Sequence, residues 1–350
     1  MKKLMTHVVA GCPGMQMCEK VLHTMLDTGS DFIEIQLPFT DPVADGEVMM
    51  KANQIALDNG TRIADCFDLA ERITKYTDKP VYFMGYFNTI YKIGIAEFCK
   101  KSKAVGIKGL IFPDVTFDEA LSEGLIDECK KNNLTFINVV SENISDERLN
   151  KLAKYASDFV YCTSRLGITG LHSEQSEQIV DYLRRIKKAT NLPLAVGFGL
   201  SSKADIDLLP DEADIAVVGS HLMKMALDES RTEDERLASI RDFIKKVKSG
   251  HTRKEFIIGG LFLALYKDQG GINPLKNPKK ETEKGKNKKA SSLVVAAFIL
   301  SLLMMAVLDT SSGMSKNLVN SNRRLKKSRL LGGISIIYIL TNLSYIFQVF

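Results

Sequence analysis

Phe32-Ile-Glu-Ile-Gln-Leu37 is apolar at every position except Glu34 and Gln36, and its polarity alternates. Successive side chains of a β-strand point to opposite faces, so Ile33, Ile35 and Leu37 share one face and Phe32, Glu34 and Gln36 the other. A run this apolar suits a strand covered on both sides, the condition of a parallel sheet flanked by helices. Runs of the same kind recur at Thr6–Ala10, Lys79–Met84, Lys108–Pro113, Leu134–Val140, Asp158–Cys162, Leu192–Gly197 and Asp214–Gly219. Between them lie segments of helical period: Cys18–Leu26, Val48–Asn59, Ile63–Tyr76, Ile95–Ala104, Glu119–Asn132, Ser145–Ala156 and Glu174–Ala189. Ser145 is a good N-cap for its segment. Eight strand–helix units in roughly 250 residues describe an α/β fold of the (β/α)8, or TIM barrel, kind. A doubly wound open sheet is the competing arrangement. It usually has fewer strands, and Gly11-Cys-Pro-Gly14 does not match its glycine-rich first turn.

The 350-residue chain is 45% hydrophobic and 25% charged, which excludes wholesale disorder. Its net charge of +5 hides an asymmetry. Residues 1–248 carry 31 Lys/Arg against 37 Asp/Glu, and residues 249–350 carry 16 against 5. The positive charge therefore lies in the tail, and nothing in the larger part points to nucleic acid. All six cysteines fall between Cys12 and Cys162 with no C-x-x-C pair, as expected of a reducing compartment and not of a zinc or disulfide framework. Met1-Lys-Lys-Leu-Met5 leads straight into Thr6 and His7, so no secretory signal is expected and the barrel is placed in the cytoplasm.

In a parallel barrel the active site is built at the C-terminal ends of the strands. Glu34 would point into that mouth, where apolar surroundings raise a carboxyl's pKa and suit it to general acid and base work. Pairing with a barrel Lys or Arg is the plainer alternative for a buried Glu. The following loop, Pro38-Phe-Thr-Asp-Pro-Val-Ala-Asp-Gly46, adds Asp41 and Asp45. Asp-Pro and Asp-Gly are also ordinary turn dipeptides. Glycine clusters follow three late strands: Gly167-Ile-Thr-Gly170, Gly197-Phe-Gly-Leu-Ser201 and Gly219-Ser220. They allow backbone N–H groups to approach a phosphate, and phosphate sites recur at this end of such barrels. The histidines are scattered and show no metal-binding spacing.

Glu34-Ile-Gln-Leu-Pro-Phe-Thr-Asp-Pro-Val-Ala-Asp-Gly46 resembles the signature of tryptophan synthase alpha subunits. So do Tyr161-Cys-Thr-Ser-Arg-Leu-Gly-Ile-Thr-Gly170, Val196-Gly-Phe-Gly-Leu-Ser201 and Val218-Gly-Ser220, and the likeness runs through residues 4–248. It implies a lyase of tryptophan biosynthesis that cleaves indole-3-glycerol phosphate to indole and glyceraldehyde 3-phosphate. Glu34 would move the protons and Asp45 would hold the indole N–H. Tyr161 and Thr169 would position substrate, while Gly170, Gly199, Gly219 and Ser220 would receive its phosphate. Asp41 and Pro42 would face a beta subunit in an alpha2beta2-type complex. Pyridoxal phosphate would belong to that partner, with no cofactor or metal in this chain. Three positions depart from the pattern: Glu47 replaces a proline, Gly85 a larger residue, and Ser141 stands where an Ala-Pro or similar pair is usual. Another phosphate-binding barrel lyase or isomerase, and a non-catalytic barrel that regulates a beta subunit, remain alternatives.

The resemblance leaves out the tail. Residues 249–290 read as a basic linker, rich in Lys, Gly, Asn and Pro from Lys267 onward. Residues 291–350 hold two apolar runs, Ser291–Leu308 of 18 residues without a charge and Leu330–Phe350 of 21. Both approach the ~20 residues that cross a bilayer, so a tail of two transmembrane helices is expected, with a misjoined reading frame as the rival. Six basic residues between the runs leave the orientation of such a hairpin open.

Overall fold

The structure, a computed structural model, describes residues 2–163 and 174–249. Nine strands form one sheet: β1 (Lys3–Val9), β2 (Phe32–Gln36), β3 (Val81–Met84), β4 (Gly109–Ile111), β5 (Thr135–Ile137), β6 (Val139–Ser141), β7 (Val160–Thr163), β8 (Leu194–Gly197) and β9 (Ile215–Val218). Their order is β5-β4-β3-β2-β1-β9-β8-β7-β6 and every pairing is parallel. The outermost strands, β5 and β6, are the two halves of the expected Leu134–Val140 run, separated by Asn138 alone. β5 pairs with β4 and β6 with β7, so the sheet curls round until its ends meet at this residue. The Asn138 carbonyl already accepts from Tyr161 N at 3.0 Å. A (β/α)8-type barrel results, and the open-sheet alternative falls.

The helices follow the expected cadence with two corrections. Glu119–Asn132 is two helices, Phe117–Ser122 and Leu125–Lys131, because Gly124 between them takes φ 76°, a left-handed conformation that ends a helix. The short helices Phe87–Ile93, Lys203–Asp207 and Ser220–Ala226 were not legible from periodicity, which needs more turns than they have. Ser145 caps Asp146–Ala153 as expected, accepting from Arg148 N.

The alternation along β2 separates two cores. Ile33, Ile35 and Leu37 pack between sheet and helices, while Phe32 joins Met5, Tyr82, Phe159 and Ile215 inside the barrel. Phe159 meets Phe32 and Tyr82 with ring centroids 6.1 and 5.3 Å away, and the Tyr82 hydroxyl donates to Asp158 at 2.6 Å. These rings fill the barrel near the start of β2. Two and four residues further along the same face come Glu34 and Gln36, so the polar groups emerge where the strands end.

No helix among the described residues is long and apolar enough to cross a membrane. The runs Ser291–Leu308 and Leu330–Phe350 lie outside the described residues, as do Thr169 and Gly170.

Candidate active site

The strand ends and their loops enclose a cavity of about 1020 Å³. Glu34, Asp45, Tyr161, Gly199, Gly219 and Ser220 all line it. Asp41 and Pro42 do not. Asp41 is exposed and accepts the Thr40 hydroxyl, whereas Pro42 is buried within this chain. The side chain that the loop offers outward beside Asp41 is Val43, 84% exposed.

Glu34 is 1% exposed. Burial and the negative charge of Asp45 raise its pKa to about 8, against the opposing pull of a hydrogen bond from Tyr161. Among the described residues the expected alternative, pairing with Lys or Arg, is not found: the charged-group neighbour is His7, with Nδ1 3.8 Å from Oε2. Oε2 is buried without a hydrogen-bond partner among the described residues. Burial and the neighbouring carboxyls hold Tyr161 well above the ordinary phenol range, so it stays an O–H donor. Gly197 makes room for that ring, since a Cβ there would lie 3.1 Å from the Tyr161 hydroxyl.

Asp45 is oriented from several sides. Gln36 donates to its Oδ2 at 2.6 Å and Asn53 at 3.4 Å, and the Tyr86 hydroxyl donates to it while accepting Ala44 N at 3.1 Å. Burial raises the Asp45 pKa, and these three donors oppose the rise. Asn53 also accepts Phe39 N at 3.0 Å, which fastens the loop to the Glu47–Asp58 helix. Phe39 stacks on Tyr86 at 5.1 Å, a flat apolar wall beside the acid. A carboxylate beside stacked rings, facing a protonated carboxyl, suits a planar N–H heteroaromatic whose ring gains positive charge.

On the β8 and β9 side, Gly199 adopts φ 73°, a conformation open to glycine at little cost. Gly219 precedes the Ser220–Ala226 helix, whose first N–H groups have no partners within the helix. Lys224 of that helix lines the cavity and adds the positive charge that an anion would meet.

His7, Gln36, Asn53, Tyr86 and Lys224 escaped the reading of the sequence. Gln36 and His7 carried the available signal, as polar residues inside apolar strands. Their partners lie 9 to 29 residues away, so the signal could not be interpreted locally.

A family model of the tryptophan synthase alpha chain matches residues 1–252. The chain belongs to the tryptophan synthase alpha chain family. The alpha chain of Desulforapulum autotrophicum is 40% identical over 222 residues, covering 63% of this chain and 87% of that one. That of Petrotoga mobilis is 36% identical over 247 residues, covering 71% and 95%. Among solved structures, the alpha subunit from Campylobacter jejuni superposes with a TM-score of 0.62 at 34% identity, covering 70% of this chain and 95% of that one. A structure of the tryptophan synthase a2b2 complex from Pyrococcus furiosus superposes with a TM-score of 0.64 at 28% identity, covering 71% and 99%.

The three departures from the alpha-chain pattern now have places. Glu47 is exposed and opens the Glu47–Asp58 helix, where an acid suits the helix dipole. At Gly85 a Cβ would stand 3.3 Å from Leu37 Cδ1 and 3.4 Å from Phe112 Cε1, so a larger residue requires those side chains to move. Ser141 ends β6 on the cavity wall and donates to Asn143 at 2.7 Å.

Proposed function

We infer that the chain is a carbon–carbon lyase that cleaves indole-3-glycerol phosphate to indole and glyceraldehyde 3-phosphate in tryptophan biosynthesis. The observation that carries this reading is the buried Glu34 carboxyl, with a pKa of about 8, beside Asp45 in the same cavity. Retro-aldol cleavage needs a proton delivered to indole C3 and another removed from the side-chain hydroxyl. Protonated Glu34 supplies the first. By resemblance to the family its carboxylate, once formed, takes the second.

Asp45 accepts the indole N–H and stabilises the charge that the ring develops when C3 is protonated. Tyr161 holds the Glu34 carboxyl, and Thr169 belongs to the loop expected to close over substrate. Backbone N–H groups near Gly170, Gly199, Gly219 and Ser220 take the phosphate. The chain needs no cofactor of its own, since pyridoxal phosphate belongs to the beta subunit. Asp41 and Pro42 lie on the face toward that partner, with Val43 exposed beside them.

Indole release from indole-3-glycerol phosphate, with and without a tryptophan synthase beta subunit, tests the reading. Absence of indole in both conditions would sink it. Activity should also follow the Glu34 proton. The acid form is required, so kcat/KM should fall about tenfold per pH unit above pH ~8. A profile flat to pH 10 would remove Glu34 as the acid.

The tail reading stands on composition: 18 and 21 residues of apolar run follow a basic linker, and we propose a membrane-anchored tail. Full-length protein should pellet with membranes through a carbonate wash and become soluble on truncation after Lys248. Intact full-length protein in the soluble pool contradicts the anchor.

A further inference from the structure

His7 stands on β1 directly across from Glu34 in the β1–β2 register and is 7% exposed. Its Nε2 lies 2.9 Å from Gln36 Oε1, and Gln36 Nε2 lies 2.6 Å from Asp45 Oδ2. A carboxylate only accepts, so Gln36 turns its amide N–H toward Asp45 and its carbonyl toward His7. The His7 Nε2 must then carry the ring hydrogen. A neutral imidazole has a single N–H, which leaves a lone pair on Nδ1. That atom is 3.8 Å from Glu34 Oε2, itself without a hydrogen-bond partner among the described residues, and both residues line the cavity. The gap is too long for a direct hydrogen bond. It does admit one oxygen atom placed about 2.8 Å from each.

We propose that His7 is a second catalytic residue of the cleavage, its Nδ1 taking the proton of the substrate's side-chain hydroxyl while Glu34 gives its proton to indole C3. The proposal rests on the reaction inferred above and reassigns its second proton from the Glu34 carboxylate to His7. The Glu34 O–H bond breaks and a C3–H bond forms with the electron pair of the ring's C2=C3 bond, leaving C2 joined to an iminium nitrogen. The hydroxyl O–H bond then breaks toward Nδ1, and its electron pair forms the aldehyde C=O. The bond between C3 and the side chain breaks, and its electrons restore C2=C3 while the iminium pair returns to nitrogen. Indole and glyceraldehyde 3-phosphate leave behind a Glu34 carboxylate and a His7 imidazolium. Once the aldehyde has left, relay of the Nδ1 proton to Oε2 through a water oxygen in the gap resets both, and no outside proton is consumed.

The electrostatics suit this division. Burial pushes the His7 pKa down to about 4, while burial and Asp45 push Glu34 up to about 8, so near neutrality the acid holds its proton and the base is free. When Glu34 loses its proton, a carboxylate appears beside the ring and raises its basicity. The base strengthens as the acid is spent. Glu34 faces His7 from β2, Asp45 through Gln36 from the loop, and Tyr161 lines the cavity from β7. From the end of β9, Gly219 abuts the ring, where a Cβ would lie 3.0 Å from Nδ1. His221 and Lys224 line the same cavity.

The test uses the full chain. His7→Phe should lower kcat for indole formation by about 10²-fold, change KM little and erase the acid limb of the kcat profile, leaving the alkaline limb of Glu34 in place. In His7→Ala, added imidazole should restore part of the lost rate. Binding of glycerol 3-phosphate checks that each variant is folded. Wild-type kcat with an unchanged acid limb in His7→Phe overturns the proposal and leaves Glu34 with both protons. If the wild-type chain itself releases no indole, the reaction reading has failed instead. Should both variants misfold, nitrogen-15 NMR of the wild-type imidazole decides: hydrogen on Nε2 with bare Nδ1 supports the proposal, and hydrogen on Nδ1 overturns it.

Discussion

Glu34→Gln should abolish indole formation, with a loss of about 10⁴-fold at the upper end of what a general acid contributes, while KM stays within a few-fold of wild type. The amide matches the carboxyl in shape and fills the same buried site, but it cannot hand a proton to carbon. Near-wild-type turnover in this variant would remove Glu34 from the chemistry altogether. The same substitution should stabilise the fold, and the pH dependence of that gain is specific. The folded-state pKa of about 8 lies above the ordinary glutamate value of 4.5, so the native state binds the proton more tightly than the unfolded chain. Wild-type stability from this group is complete below pH ~4.5 and declines as pH rises through ~8, by at most about 1.4 kcal/mol per pH unit. Gln carries no such linkage. The urea midpoint of Glu34→Gln should therefore match wild type near pH 4.5 and exceed it increasingly up to pH ~8, then by a constant margin. A constant difference across that window would mean that Glu34 is ionised throughout.

Gly219→Asp should raise KM for indole-3-glycerol phosphate by about 10²-fold, equivalent to roughly 2.7 kcal/mol of lost binding, in the range expected for like charges brought together. Gly219 leads into the Ser220–Ala226 helix, where the anion site is proposed. A Cβ at this position would also meet His7 Nδ1 at 3.0 Å, so the new side chain is driven toward the cavity and carries a negative charge into it. Affinity for glycerol 3-phosphate, measured by calorimetry, should fall with KM, while thermal unfolding confirms a folded barrel. Unchanged affinity would move the phosphate elsewhere in the cavity.

Much of this was legible along the chain. Asp31–Leu37 shows its strand and its two faces because the alternation has a period of two and sheet burial depends only on which face a residue occupies. The helices Ile63–Tyr76 and Ile95–Ala104 coincide with the periodic segments of the sequence, since each is an amphipathic run with a clear apolar stripe. Glu34 and Asp45 could be singled out because a barrel collects whatever is polar at its strand ends. Where expectation and structure part, the deciding interaction is not local. The partner switch at Asn138 follows from β4 on one side and β7 on the other, neither of which can be read from Leu134–Val140.

His7 shows most clearly where the pattern along the chain stops. In sequence it is a single histidine between Thr6 and Val8, and such a residue has no stated chemistry. Parallel pairing of β1 with β2 sets it opposite Glu34, and the hydrogen bond to Gln36, 29 positions away, chooses which ring nitrogen carries the hydrogen. Fold class, strand faces and the acid of the site are consequences of periodicity and residue type, which short stretches of chain carry within themselves. Proton locations, pKa values and the opening between Nδ1 and Oε2 depend on desolvation and on distances between strands, which exist only once the barrel has closed.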